Sequence, residues 1–141
     1  MKKGIGFIFL LGVVLGCQAE KNSHSGIFLG GQIVNPSSRA VTLYQGTHVI
    51  EMLDLGENLR FQRQYDSLPD GIYKLEHLPE YQTLLLEDQD SLWVRINAAA
   101  FDESMVYSGV GASKNNFLLE LFLKQEAENN YLSSKYSNNK R

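Results

Sequence analysis

From Gly26 onward, apolar and polar positions alternate with the period of two that marks half-buried strands. Gly26–Asn35 predicts a first strand, its paired Gly30 and Gly31 predicting a bulge or a close backbone approach. After the turn Asn35-Pro36-Ser37-Ser38, Ala40–Gln45 places Val41 and Leu43 on one face and Thr42 and Tyr44 on the other. Gln45-Gly46-Thr47 leads into His48–Leu55, and Gly56-Glu57-Asn58 into Leu59–Tyr65, where Leu59, Phe61 and Tyr65 share a face with Arg63. Leu68-Pro69-Asp70-Gly71 has proline second and glycine fourth, as a type I turn prefers. Gly71–His77 then sets Tyr73 and Leu75 opposite Lys74 and Glu76. Thr83–Glu87 is a near-continuous apolar strand. Asp88-Gln89-Asp90 joins it to Ser91–Asn97, where Leu92, Val94 and Ile96 alternate with Trp93 and Arg95. These two strands are expected to form a central hairpin, with Met105–Gly109 as a short edge strand.

Turn signals about every 8–12 residues are the spacing of an antiparallel sandwich or barrel. The expectation is therefore a mainly β domain over residues 26–111, an antiparallel β-sandwich of about seven or eight strands. The period changes after Gly111. Ser113 can cap a helix. Phe117, Leu118, Leu121 and Phe122 fall at helical spacing, and Glu120 precedes Lys124 by one turn in the favourable order. A helix over 112–130 and a frayed polar tail over 131–141 follow. The apolar stripe of that helix needs a cover, either the β-domain or a larger assembly.

The N-terminus follows another logic. Lys2 and Lys3 precede an apolar run from Ile5 to Val14, too short to span a bilayer, which reads as an export signal over residues 1–16. Gly16 before Cys17 resembles the lipobox of bacterial lipoproteins. That resemblance implies cleavage before Cys17, acylation of its thiol, and residues 17–25 as a tether. Each buried methylene contributes about 0.8 kcal/mol, and two or more chains anchor stably where one does not. The competing reading is an ordinary secretory signal with an incidental cysteine. The implied location is the cell envelope, on the periplasmic side of a bacterial membrane or at the surface, with the membrane as a partner through the lipid.

Charge narrows the partners. The formal net charge is −3, and loss of Lys2 and Lys3 makes the remainder more acidic. No basic run interleaves with aromatics, which argues against nucleic acid. Cys17 is the one cysteine, so no Cys-x-x-Cys pair exists in this sequence. Gly109-x-Gly111 before a helix could receive an anion, but it lacks Gly-Lys-Ser/Thr and reads better as a flexible helix entry. Glu87, Asp88 and Asp90 could gather calcium, but a solvated turn suits them better. His24, His48 and His77 have no metal-ligand spacing, and His77 beside Glu76 reads as a surface residue. No Gly-x-Ser-x-Gly elbow activates a serine. Catalytic, cofactor and metal residues are thus left unassigned. One binding surface is a candidate, with Tyr73 and Trp93 on an outer sheet face beside Arg95; the alternative is packing of that face under the helix.

Several stretches together resemble the N-terminal β-domain of Bacteroidota-type lipoproteins whose C-terminal part is a thioredoxin-like, TlpA/ResA-type thiol–disulfide oxidoreductase. They are Gly31-Gln32-Ile33-Val34-Asn35, Leu53 to Phe61, Gly71-Ile72-Tyr73, Asp88 to Leu92, and Gly109 to Leu118. The likeness covers roughly Gly26 to Leu123 and is carried by turns and a small-residue helix entry. It implies a lipid-anchored module that holds a redox domain off the membrane or selects its client, with an envelope protein as partner. The sequence in hand ends at Arg141 without such a domain, so the family's catalytic residues have no positions here. Two expectations follow: a non-catalytic interaction or spacer module, either a truncated form of such a lipoprotein or a stand-alone copy of its N-terminal domain, or part of an oxidoreductase whose catalytic domain lies beyond Arg141. A small-molecule or glycan binder using the aromatic face is a third. A transaldolase is excluded by size, since a (β/α)₈ barrel needs about 250 residues.

Overall fold

A computed structural model describes residues 26–138. The export signal, Cys17, the tether and the last three residues lie outside the described residues. Within them the chain forms a β-sandwich followed by a C-terminal helix. The strands are β1 (Ile27–Val34), β2 (Ala40–Gln45), β3 (His48–Asp54), β4 (Arg60–Tyr65), β5 (Gly71–His77), β6 (Glu80–Leu86), β7 (Ser91–Asn97) and β8 (Val106–Val110). They make two four-stranded sheets, ordered β4-β1-β7-β8 and β3-β2-β5-β6. All pairings are antiparallel except β1 with β7, which is parallel.

The alternation of the sequence becomes the core. Ile27, Leu29, Ile33, Phe61, Leu92, Val94, Ile96 and Tyr107 face inward from the first sheet. Val41, Leu43, Tyr73, Leu75, Leu84 and Leu86 meet them from the second. Full burial of each such aliphatic side chain contributes about 1.5–3 kcal/mol. Because each sheet supplies only half of that core, the two sheets depend on one another.

Several expectations are corrected. β6 and β7 are no hairpin, because they belong to opposite sheets. The link between them is an arch, pinned by Asp90, whose side chain is buried and accepts from the Glu87 N–H at 2.8 Å. β1 contains no bulge; its register runs unbroken against both neighbours. Its glycines serve close approach instead, since a Cβ on Gly31 would lie 2.6 Å from the Val94 carbonyl oxygen. The register shift falls between Leu43 and Tyr44 on β2. A 3₁₀ turn (Ala98–Ala100) and a helical turn, α1 (Phe101–Ser104), precede β8.

The C-terminal helix, α2 (Ala112–Asn138), starts one residue before Ser113 and continues past residue 130. Its second half holds Lys, Glu, Ala and Gln without glycine or proline, so nothing stops it. It docks through a different face from the predicted stripe. Asn115, Leu119 and Leu123, each four residues apart, form the docked line, with Asn115 and Leu119 buried. The Leu85 N–H donates to Asn115 Oδ1 at 2.8 Å, and Asn115 Nδ2 donates back to the Leu85 carbonyl at 2.9 Å. Asn116 does the same for Tyr107 at 3.0 and 2.9 Å. Two adjacent amides thus imitate a strand partner on β6 and on β8, tying the two sheets together along that side. Phe117, Leu121 and Phe122 remain exposed, and so does every described side chain from Lys124 to Tyr136. No helix of the described residues is long and apolar enough to cross a membrane.

Candidate functional site

Register assembles the outer face of the first sheet row by row. Gln32 on β1 pairs with Arg60 on β4 and Arg95 on β7, and Arg95 pairs with Val106 on β8. The next row is Gln62, Gly30, Trp93 and Ser108, and the next Gln64, Phe28, Ser91 and Val110. No outward position in these rows carries a carboxylate. Trp93 lies against Gly30, where a Cβ would stand 2.8 Å from two atoms of the indole, so glycine is what lets the ring lie down on the strand. The Arg60 guanidinium sits 5.7 Å from the centre of that ring. Among the described residues neither Arg60 nor Arg95 is within ion-pair distance of a carboxylate.

Beside Arg95 the face opens into a cavity of about 260 Å³ lined by Val34, Arg95, Ile96, Asn97, Ser104 and Val106. α1 builds its far wall. The Ser104 hydroxyl accepts from the Asn97 N–H at 2.8 Å and faces the Asn97 carbonyl at 3.2 Å. Asn97 Oδ1 accepts from the Ala99 N–H and from Asn35 Nδ2, both at 3.1 Å. Among the described residues its own Nδ2 makes no hydrogen bond. The cavity therefore presents N–H groups from Arg95 and Asn97 between two valines.

The structure separates the three residues of the predicted surface. Trp93 and Arg95 do share the outer face. Tyr73 does not. It is buried on the inner face of β5 in the other sheet, its hydroxyl donating to the Pro69 carbonyl. Nor does the helix cover Trp93, because α2 docks on the β6 and β8 edges. Arg60 and Gln32, distant in sequence, are the members that sequence reading missed.

The outer face of the second sheet also gathers a cation and aromatics. Here Lys74 donates to Glu76 at 3.0 Å and lies 3.9 Å from the Tyr44 ring centre and 5.3 Å from that of Tyr81. Tyr44 donates its hydroxyl to Glu76 at 2.9 Å. The hydrogen bond from Lys74 holds the Glu76 carboxyl below its ordinary value, and the bond to Glu76 raises the Tyr44 phenol. Every charge in that cluster is answered from within.

The remaining candidates are structural. His77 is buried, not on the surface: its parity along β5 is that of Tyr73 and Leu75. The Ser37 N–H donates to Nε2 at 3.1 Å, which puts the ring proton on Nδ1, 3.0 Å from the Ala40 carbonyl. Ser38 Oγ is 3.1 Å from Nδ1 but donates to the Ala40 carbonyl, so the pair is not an activated nucleophile. The anion position at the start of α2 is filled from within. A Cβ on Gly111 would stand 2.5 Å from Asp90 Oδ1, and Lys114 donates to Asp90 at 2.7 Å and to Glu87. No group of three or more His, Cys, Asp or Glu side chains among the described residues could hold a metal ion. Burial raises the phenols of Tyr65 and Tyr107, whose hydroxyls are unpartnered, and raises the Asp102 carboxyl.

Comparison of the chain with protein-family models, curated proteins and solved structures gave no match. What the geometry defines is thus a class only, a β-sandwich with an open cationic–aromatic sheet face.

Proposed function

We propose that this chain is a lipid-anchored, non-catalytic interaction module of the bacterial cell envelope. The observation that carries this reading is the outer face of β4-β1-β7-β8, where Arg60 lies over the partly buried Trp93 and Arg95 borders a cavity, neither arginine ion-paired among the described residues, while the Lys74–Glu76–Tyr44 cluster of the other sheet is satisfied internally. A solvated carboxylate gains more from a guanidinium that has no partner to give up. The lipobox-like Gly16-Cys17 supports the anchor, and the acyl-modified protein would be held at the membrane. The resemblance to the N-terminal domain of thioredoxin-like lipoproteins supports a role at the envelope.

A second reading is favoured by one observation. The projecting half of α2 carries exposed Leu121, Phe122, Tyr131, Leu132 and Tyr136. An apolar helix face of this kind suits a connection to a thiol–disulfide oxidoreductase domain. Metabolic labelling with a clickable fatty acid, in wild type and Cys17→Ser, tests the anchor. Label and membrane sedimentation in wild type, both lost in Cys17→Ser, are expected. An unlabelled soluble wild type would refute the anchor. Intact mass of the native protein separates the two readings: a mass well above that of Cys17–Arg141 plus acyl chains would favour the oxidoreductase.

A further inference from the structure

Resting on that reading of the domain as a binding module, we infer that the Arg60–Gln32–Arg95 row and its adjoining cavity bind an acidic saccharide. The carboxylate lies between the two guanidiniums and the sugar ring sits in the cavity. Neighbouring strands lie about 4.8 Å apart, so the Cα atoms of Arg60 and Arg95 are about 10 Å apart across Gln32, and their long side chains can close on one group. The cation is positioned in advance, since the Trp93 ring holds Arg60 at 5.7 Å. Charge decides the sign of the ligand. The chain has a net charge of −3, yet this face carries arginines and no outward carboxylate.

Shape and chemistry choose a sugar. The cavity, at about 260 Å³, lies below the roughly 300–1,000 Å³ of drug-sized sites, which suits a single ring. Val34 and Val106 give apolar walls for ring C–H groups, while Arg95 and Asn97 offer N–H donors to hydroxyl oxygens. The amides of Gln32, Gln62 and Gln64 and the Ser108 hydroxyl extend along the face and can both donate and accept, as a hydroxyl-rich chain requires. An extended acidic peptide would bind best by adding a strand to a sheet edge. On β6 and β8 the amides of Asn115 and Asn116 already hold Leu85 and Tyr107, and a strand added to the remaining edges, β3 or β4, would not reach the cavity beside Arg95, which on its own sheet lies two strands in from β4.

Trp93 is the chain's single tryptophan, so its fluorescence reports this face alone. The full chain in detergent is titrated with trigalacturonate, with its methyl ester, and with oligoglutamate of equal charge. A saturable change in Trp93 emission with trigalacturonate is expected, at least tenfold weaker with the ester. Arg60→Gln and Arg95→Gln should each weaken binding about tenfold or more, the scale of a charge-assisted hydrogen bond. Arg63→Gln should leave it unchanged, because Arg63 is paired with Glu51 at 3.0 Å. Thermal melts of each variant verify folding. No saturation with trigalacturonate, equal binding of oligoglutamate, or unchanged binding by folded Arg95→Gln would overturn the proposal. A chain that takes the acyl label yet ignores trigalacturonate loses only the ligand, not the anchored-module reading.

Discussion

The two outer sheet faces carry the same ingredients and use them differently. On the second sheet, Lys74 lies against the Tyr44 and Tyr81 rings and is neutralised by Glu76, which also takes the Tyr44 hydroxyl. On the first, Arg60 lies by the Trp93 ring and Arg95 by a cavity, with no carboxylate on the face. A cation beside an aromatic is thus no sign of a site. What distinguishes the faces is whether the charge is already answered. Removing one member of a partly buried, hydrogen-bonded pair strands the other, while an unpaired, exposed guanidinium contributes little to the fold and keeps its capacity for a ligand. Removing these contacts one by one should therefore cost stability in the order of how fully each is committed to the fold.

Lys114 is the most committed, being bonded to the buried Asp90 where the β6–β7 arch meets α2. Lys114→Met would strand that carboxylate. A loss of about 2–3 kcal/mol is expected, below the 3–5 typical of a fully buried pair because Lys114 is partly exposed. Urea unfolding followed by circular dichroism measures it; a loss under about 1 kcal/mol would place Lys114 with the surface pairs. Next comes Gly30→Val, which puts a branched side chain where Trp93 lies. About 1–2 kcal/mol and a red-shifted Trp93 emission are expected, since the ring can swing into solvent. An unshifted spectrum would mean that the indole does not rest on Gly30.

Much of this was legible in the chain. Alternation along β5 sets Tyr73, Leu75 and His77 on one side, which contradicts the expected outward Tyr73 and surface His77; parity is the better guide, and burial follows it even for the histidine. Trp93 and Arg95 were readable as a pair because they share one strand. Arg60 and Gln32 were not, since only register brings β4, β1 and β7 side by side, and register depends on contacts remote in sequence. The arch at Asp88-Gln89-Asp90 looks like a hairpin turn for a similar reason: a short polar link does not reveal whether the chain returns to its own sheet or crosses to the other. Asn115 and Asn116 read as polar surface on an isolated helix, and become the docking contacts only once two open sheet edges lie beneath them.

Glu76→Leu probes the self-satisfied face. It leaves Lys74 without its carboxylate and Tyr44 without its acceptor, at a cost of about 1 kcal/mol. Because the folded state lowers the Glu76 pKa, its contribution is complete above the ordinary value of 4.5 and fades as pH falls through the lowered one. Wild type and variant should therefore differ at pH 7 and converge in acid. A difference that persists undiminished down to pH 2 would trace the loss to packing rather than charge.

The smallest effect is the most telling. Two like charges in water at about 10 Å, the Cα spacing of Arg60 and Arg95, repel by only about 0.4 kcal/mol. Arg95→Gln relieves that repulsion and breaks no ion pair among the described residues, so stability should stay within about 0.5 kcal/mol of wild type, on the favourable side. Arg60→Gln also gives up its contact with Trp93, worth about 0.5–1 kcal/mol at an exposed site, and should come out slightly unfavourable. Thermal melts of both variants at low and moderate salt read the difference, with the Arg95→Gln gain shrinking as salt screens the repulsion. A loss of 2 kcal/mol for Arg95→Gln would make that arginine a structural residue, and the two outer faces would then be alike.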